Sequence, residues 1–227
     1  MRFLLFFVSF LFASDIYVAS CANTSFVMPQ IVKAFHKKYP SLKVHLIFSS
    51  SGKLTAQITH NANYDIFLSA DMKYPMFLYQ HGFVLEKPKV YAYGKLILIS
   101  QKKVDLSNLS NLSSIVIANP KLAPYGKVAI EVLKNLKIYN KVKQKLIYAP
   151  SVSGVVPYVL NGVEAGFVSS SFIPKLHMNV LQVPISLYTP IKQGVVLLKD
   201  KKEAREFYNF LFSKEAKEIL KKYGYGV

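Results

Sequence analysis

The sequence predicts an α/β chain of two lobes, each a mainly parallel sheet flanked by helices, with two strands crossing between the lobes. Three observations lead there. Strands and helices alternate through the first eighty residues, the pattern of parallel sheets covered by helices. A strand followed by a small polar turn and then a helix recurs at Asn23-Thr24-Ser25, Ser49-Ser50-Ser51-Gly52, Pro124-Tyr125-Gly126 and Ser151-Val152-Ser153-Gly154. The length of 227 residues, 52% of them hydrophobic, exceeds a typical single core and allows one large domain or two lobes.

The elements follow in order. Asp15–Ser20 alternates and is rich in β formers, so it reads as a strand. Met28, Ile31, Val32 and Phe35 recur at helical spacing, with Pro29 in the first turn and Tyr39-Pro40 as the stop. Lys43–Phe48 is a strand, Lys53–His60 a short helix, Asp65–Ser69 a third strand and Ala70–His81 a helix. Tyr91–Ser100 is the strand expected to cross into the second lobe. That lobe contains strands at Ser114–Ala118, Lys145–Tyr148, Glu164–Ser169 and Val180–Val183, with helices at Gly126–Leu136 and Val152–Leu160. Gln193–Leu198 is the expected return strand, and Lys202–Tyr223 reads as one amphipathic helix carrying Phe207, Phe210, Leu211, Ile219 and Leu220 inward. These expectations divide the chain into a leader at 1–14, one lobe from 15–91 and 190–227, and a second from 92–189.

The leader reading rests on Arg2, the apolar run Phe3–Phe12 and the small residues Ala13 and Ser14, the order of a secretory signal and too short to span a bilayer comfortably. Cys21 is the single cysteine, so no intrachain disulfide is available. Val18-Ala19-Ser20-Cys21 resembles a lipoprotein cleavage box. However, cleavage there would discard the first strand, so a buried thiol is expected and lipid attachment is not. Lys and Arg total 29 against 12 Asp and Glu, a formal net charge of +17. The lysines are scattered pairs without a nucleic-acid motif, so no nucleic-acid partner is expected. The charge suits attraction of a small dianion.

Catalytic patterns fail on inspection. Ser50-Ser51-Gly52-Lys53 fits S-x-x-K, but S-D-N and K-T-G are absent. There is no phosphate-loop or dinucleotide fingerprint, and the five histidines form no H-E-x-x-H. Asp65 and Asp71 read as turn residues. No enzyme activity, cofactor or directly ligated metal is expected. The four polar turns are more informative. Helix N-termini expose unpaired N–H groups and carry partial positive charge, so several converging on a cleft can hold an oxyanion. Ordinary capping by Ser and Asn accounts for any one of them alone.

At these residues the sequence resembles the molybdate-binding proteins of ABC importers. The matching segments are Ala19–Ser25, Phe48–Leu54 followed by Gln57-Ile58, Asp65–Asp71, Asn119-Pro120, Ala123–Gly126, Gly166–Val168 and Tyr223-Gly224. The resemblance implies a type II periplasmic-binding-protein fold, closing around tetrahedral molybdate or tungstate. It also implies a monomer in the periplasm that hands its ligand to the membrane permease of an ABC transporter. Carried over residue by residue, the ligand positions are Asn23, Ser51, Tyr125 and Val152, the last two through backbone N–H groups. Ser169 stands where some members offer a phenol. A site of neutral donors suits a fully ionised dianion and disfavours phosphate, whose proton needs an acceptor. Rival readings on the same fold are a ferric-ion site, which needs clustered tyrosines and acids, a sulfate-like anion site, and a periplasmic dehydratase, which needs an acid–base pair.

Overall fold

The structure is a computed structural model that describes residues 15–84 and 86–227; the expected signal segment, 1–14, lies outside the described residues. Two five-stranded sheets carry the fold. The first has strand order β2-β1-β3-β10-β4, from β1 (Asp15–Cys21), β2 (Lys43–Ser49), β3 (Ile66–Ser69), β4 (Lys89–Gly94) and β10 (Ile191–Leu197). The second has order β7-β6-β8-β5-β9, from β5 (Leu96–Ser100), β6 (Ile115–Ala118), β7 (Leu146–Ala149), β8 (Ala165–Ser169) and β9 (Asn179–Gln182).

Both sheets are mixed. In the first, β1 runs parallel to β2 and β3, while β10 is antiparallel to β3 and β4. In the second, β6 runs parallel to β7 and β8, while β5 is antiparallel to β8 and β9. The helical crossovers account for the parallel pairs. The antiparallel ones arise because the two connecting strands enter each sheet from the other lobe. The expected continuous strand Tyr91–Ser100 is divided at Lys95, β4 pairing in one sheet and β5 in the other.

Burial explains the strand compositions. β5 (Leu-Ile-Leu-Ile-Ser), β6 and β8 are buried along their whole length, as strands covered on both faces must be, and so read as unbroken apolar runs. β2 lies at an edge and stays half-exposed, with Lys43 and His45 in it. Helices α1 (Met28–Lys38), α2 (Ser51–Thr59), α3 (Lys73–Gln80), α7 (Lys202–Phe210) and α8 (Lys214–Lys222) belong to the first lobe. Helices α4 (Pro124–Asn135), α5 (Tyr139–Val142) and α6 (Val155–Leu160) belong to the second. Phe35 of α1 anchors the first core: its ring meets Phe207 edge-on at 5.1 Å and Phe210 at 5.5 Å, and stacks on Tyr39 at 4.6 Å. Removing such a fully buried phenyl ring costs about 3–5 kcal/mol.

The C-terminal segment departs from the single helix read from periodicity. It breaks after Phe210 and restarts at Lys214, where the Ser213 hydroxyl accepts from the Ala216 N–H at 3.2 Å. A serine cap interrupts the helix while the apolar stripe continues across the break. Likewise α6 begins at Val155 rather than Val152, leaving 151–154 as a turn.

Candidate functional site

All four polar turns lie at the C-terminal ends of strands and point toward the seam between the lobes. Ala22–Thr24, directly after β1, forms a single 3-10 turn. Ser50 and Ser51 follow β2 at the start of α2, Pro124 and Tyr125 open α4, and Val152 sits in the turn after β7. A small cavity is lined from both sides by these segments, including Asn23, Ser50, Ser51, Tyr125 and Val152. Larger depressions, such as the one flanked by Lys102, Lys103 and Glu164, are each lined from one lobe. The small cavity is where the two lobes meet, and every residue lining it is uncharged.

Each position presents a donor for a local reason. Ser51 is the first residue of α2 and Tyr125 lies in the first turn of α4, so neither N–H has an acceptor within its own helix. The Ser51 hydroxyl is buried and accepts from the Ala70 N–H at 3.0 Å, which uses an oxygen lone pair and leaves its own proton to donate. In the turn at 151–154, the closing bonds are Gly154 N–H to Ser151 O at 3.2 Å and Val155 N–H to Val152 O at 3.3 Å. The Val152 N–H takes no part in that closure. Gly126 permits the arrangement in the second lobe: a Cβ there would stand 2.0 Å from the Ala118 carbonyl oxygen, so only glycine lets the start of α4 press against the end of β6.

Asn23 is used differently from a simple side-chain ligand. Its Nδ2 donates to Gln193 Oε1 at 3.0 Å and to Tyr225 Oη at 2.7 Å, so both amide protons are engaged within the protein. Its backbone carbonyl accepts from Ser171 Oγ at 2.6 Å and from Tyr225 Oη at 2.9 Å. Ser169 does not line the cavity. Its hydroxyl donates to Tyr125 Oη at 3.0 Å, accepts from the Ser171 N–H at 3.3 Å and lies 2.8 Å from Ser171 Oγ, whose single proton goes to the Asn23 carbonyl. A buried polar network therefore runs beneath the cavity from Asn23 through Ser171 and Ser169 to Tyr125, joining the lobes at their base. Gln193, from the returning strand, and Tyr225, near the C-terminus, belong to it. No periodicity or motif marks those two residues. A polar side chain within the apolar strand β10 is the one signal that could have singled out Gln193.

The lobes also touch at the cavity mouth. The Gly52 N–H donates to Leu122 O at 2.9 Å, and the Tyr74 hydroxyl to Lys121 O at 3.3 Å. The structure is thus a closed arrangement of the two lobes.

The remaining chemistry-bearing groups are accounted for structurally. Asp65 is buried, accepts from the Tyr17 N–H at 2.8 Å and pairs with Lys201 at 2.8 Å. Asp71 accepts from the Tyr74 N–H and the Ser69 hydroxyl, each at 3.2 Å, and burial raises its carboxyl above the usual range. Tyr91, Tyr125 and Tyr225 gather below the cavity. Burial, chiefly, pushes each phenol up, so each serves here as a neutral hydrogen-bonding group. Burial also pushes the Cys21 thiol up to about 12, the behaviour of an inert core thiol. Among the described residues, no group of three or more His, Cys, Asp or Glu side chains is placed to hold a metal ion.

Comparison with known proteins gives the same architecture. The family model described as bacterial extracellular solute-binding protein matches residues 16–226. The chain is 35% identical to the molybdate-binding protein ModA of Rhodobacter capsulatus over 224 residues, covering 94% of this chain and 88% of that one. It is 34% identical to the ModA of Azotobacter vinelandii over 230 residues, covering 95% and 91%. Among solved structures, the Azotobacter vinelandii periplasmic molybdate-binding protein superimposes with a TM-score of 0.86 at 29% identity, over 93% of this chain and 99% of that one. With nearly the whole chain inside the family model, and its two lobes meeting at an uncharged cavity, this protein belongs to the bacterial extracellular solute-binding protein family.

Proposed function

We propose that this protein is the extracytoplasmic substrate-binding component of an ABC importer and that it carries molybdate or tungstate to a membrane permease. The observation that carries the reading is a cavity without charged groups, lined by Asn23, Ser50 and Ser51 from one lobe and by Tyr125 and Val152 from the other, in a chain 35% identical to a molybdate-binding protein. Hydrogen bonds to a full dianion are strong enough that no formal positive charge is needed at the site. The basic surface, net +17, steers the anion toward it.

In this reading Ser51 donates through its hydroxyl and its N–H, while Tyr125 and Val152 donate through N–H groups from the facing lobe. Asn23 donates through its backbone, since its amide protons are held by Gln193 and Tyr225. Ser169 supports Tyr125 from beneath. The protein acts as a monomer, exported by the segment at 1–14, and does no chemistry on its ligand.

Melting curves with added anions test the assignment. Ligand at about a hundred times its dissociation constant adds roughly 2.7 kcal/mol to the folded state. Molybdate and tungstate should each raise the melting temperature, and phosphate should not. A shift with phosphate or sulfate and none with molybdate would overturn the reading.

A further inference from the structure

Ser50 precedes α2 in the N-cap position, where a serine hydroxyl ordinarily accepts from an N–H of the first turn. Here it makes no such bond. The Gly52 N–H, one of the two amides such a cap serves, is instead taken by the Leu122 carbonyl of the other lobe at 2.9 Å. The Ser50 side chain is only 3% exposed, and its Oγ is buried without a hydrogen-bond partner. It lines the same inter-lobe cavity as Ser51. Leaving a buried hydroxyl unpaired is destabilising, and a side chain that could relieve this by capping its own helix does not do so.

We infer that the Ser50 hydroxyl is a further donor to the bound oxyanion, one that nothing in the resemblance assigns. The inference rests on the oxyanion reading of the cavity above. It is also consistent with Ser169, whose hydroxyl is committed to Tyr125 and Ser171 and stands where some relatives offer a phenol. A donor from Ser50 on the first lobe would serve the anion in place of that missing contact on the second. The other unpaired buried side-chain atom at the cavity residues is Asn23 Oδ1, an acceptor, and cannot take this role.

The test is calorimetric titration of sodium molybdate and sodium tungstate into the wild-type chain and Ser50→Ala, with melting curves of both chains without added anion. A ligand-directed hydroxyl predicts affinity falling about tenfold or more, as for a hydrogen bond to a charged group. It also predicts an unliganded melting temperature that is unchanged or higher, because the substitution removes an unpaired buried hydroxyl. An affinity within twofold of wild type overturns the inference. So does a lowered unliganded melting temperature with unchanged affinity, which is the signature of a helix cap. A wild-type chain that binds neither anion overturns the parent reading and this inference with it, so the two failures are distinguishable.

Discussion

Ser51 and Ser169 are both buried hydroxyls near the seam between the lobes, and their partners separate them. Ser51 Oγ accepts one bond from Ala70, and its proton is not committed to another protein group. Ser169 spends its proton on Tyr125 and a lone pair on the Ser171 N–H. Ser51→Ala should therefore weaken molybdate binding by a charge-assisted bond, roughly 1.5–3 kcal/mol, and also leave the Ala70 N–H unpaired. Ser169→Ala should leave affinity nearly unchanged and lower the melting temperature, since it strands the Tyr125 phenol and the Ser171 N–H in a dry interior. Titration calorimetry and melting curves on the two variants separate these effects. Equal losses of affinity would make Ser169 a ligand. Gly94 shows the same crowding from the other side: a Cβ there would come within 2.2 Å of Tyr125 Oη, so the crossing strand must be bare where the phenol sits.

At the scale of elements, the segment 202–222 illustrates how a periodic stripe conceals a break. Phe207 and Leu220 lie on one apolar face and both are fully buried, so spacing alone joins them into one helix. The chain nevertheless stops and restarts at Ser213, whose hydroxyl caps α8. Ser213→Ala should cost about 1 kcal/mol. For a chain of this size that lowers the melting temperature by about 2–4 °C, with no change in anion affinity. Scanning calorimetry with and without molybdate would check both halves, and a loss confined to affinity would mean that α8 acts on the cleft. The first strand makes a related point. β1 pairs with both β2 and β3, so a chain beginning at Cys21 would lack the strand that joins them. This physical cost weighs against lipid attachment at that cysteine.

At the scale of the whole molecule, closure brings together residues far apart in sequence. The Tyr74–Lys121 and Gly52–Leu122 bonds cross the mouth of the cavity and exist only when the lobes are shut. A ligand touching both lobes favours that state by its differential contacts. Tyr74→Phe removes one crossing bond without touching the cavity residues. It should speed molybdate release by about two- to tenfold, the range of a neutral hydrogen bond, and leave association nearly unchanged. Stopped-flow measurement reads both rates. An unchanged release rate would mean that this contact does not hold the closed state.

The alternation of strands and helices, the two lobes and the four polar turns were legible in the sequence because each is local. β-branched runs, helical spacing and small capping residues act over a few positions. Within those turns it is the family resemblance that singles out Asn23, Ser51, Tyr125 and Val152, and the fold brings all four to one cavity. Tertiary structure decided what each of them does there. The Asn23 amide is drawn away by Gln193 and Tyr225, which lie 170 and 202 residues along the chain. The Ser50 hydroxyl is left without a partner while Leu122, from the other lobe, takes the Gly52 amide. Local propensity specifies which groups can donate. Which ones remain free depends on partners far away in sequence, within the same lobe for Asn23 and across the seam for Gly52, and no pattern along the chain encodes that distance.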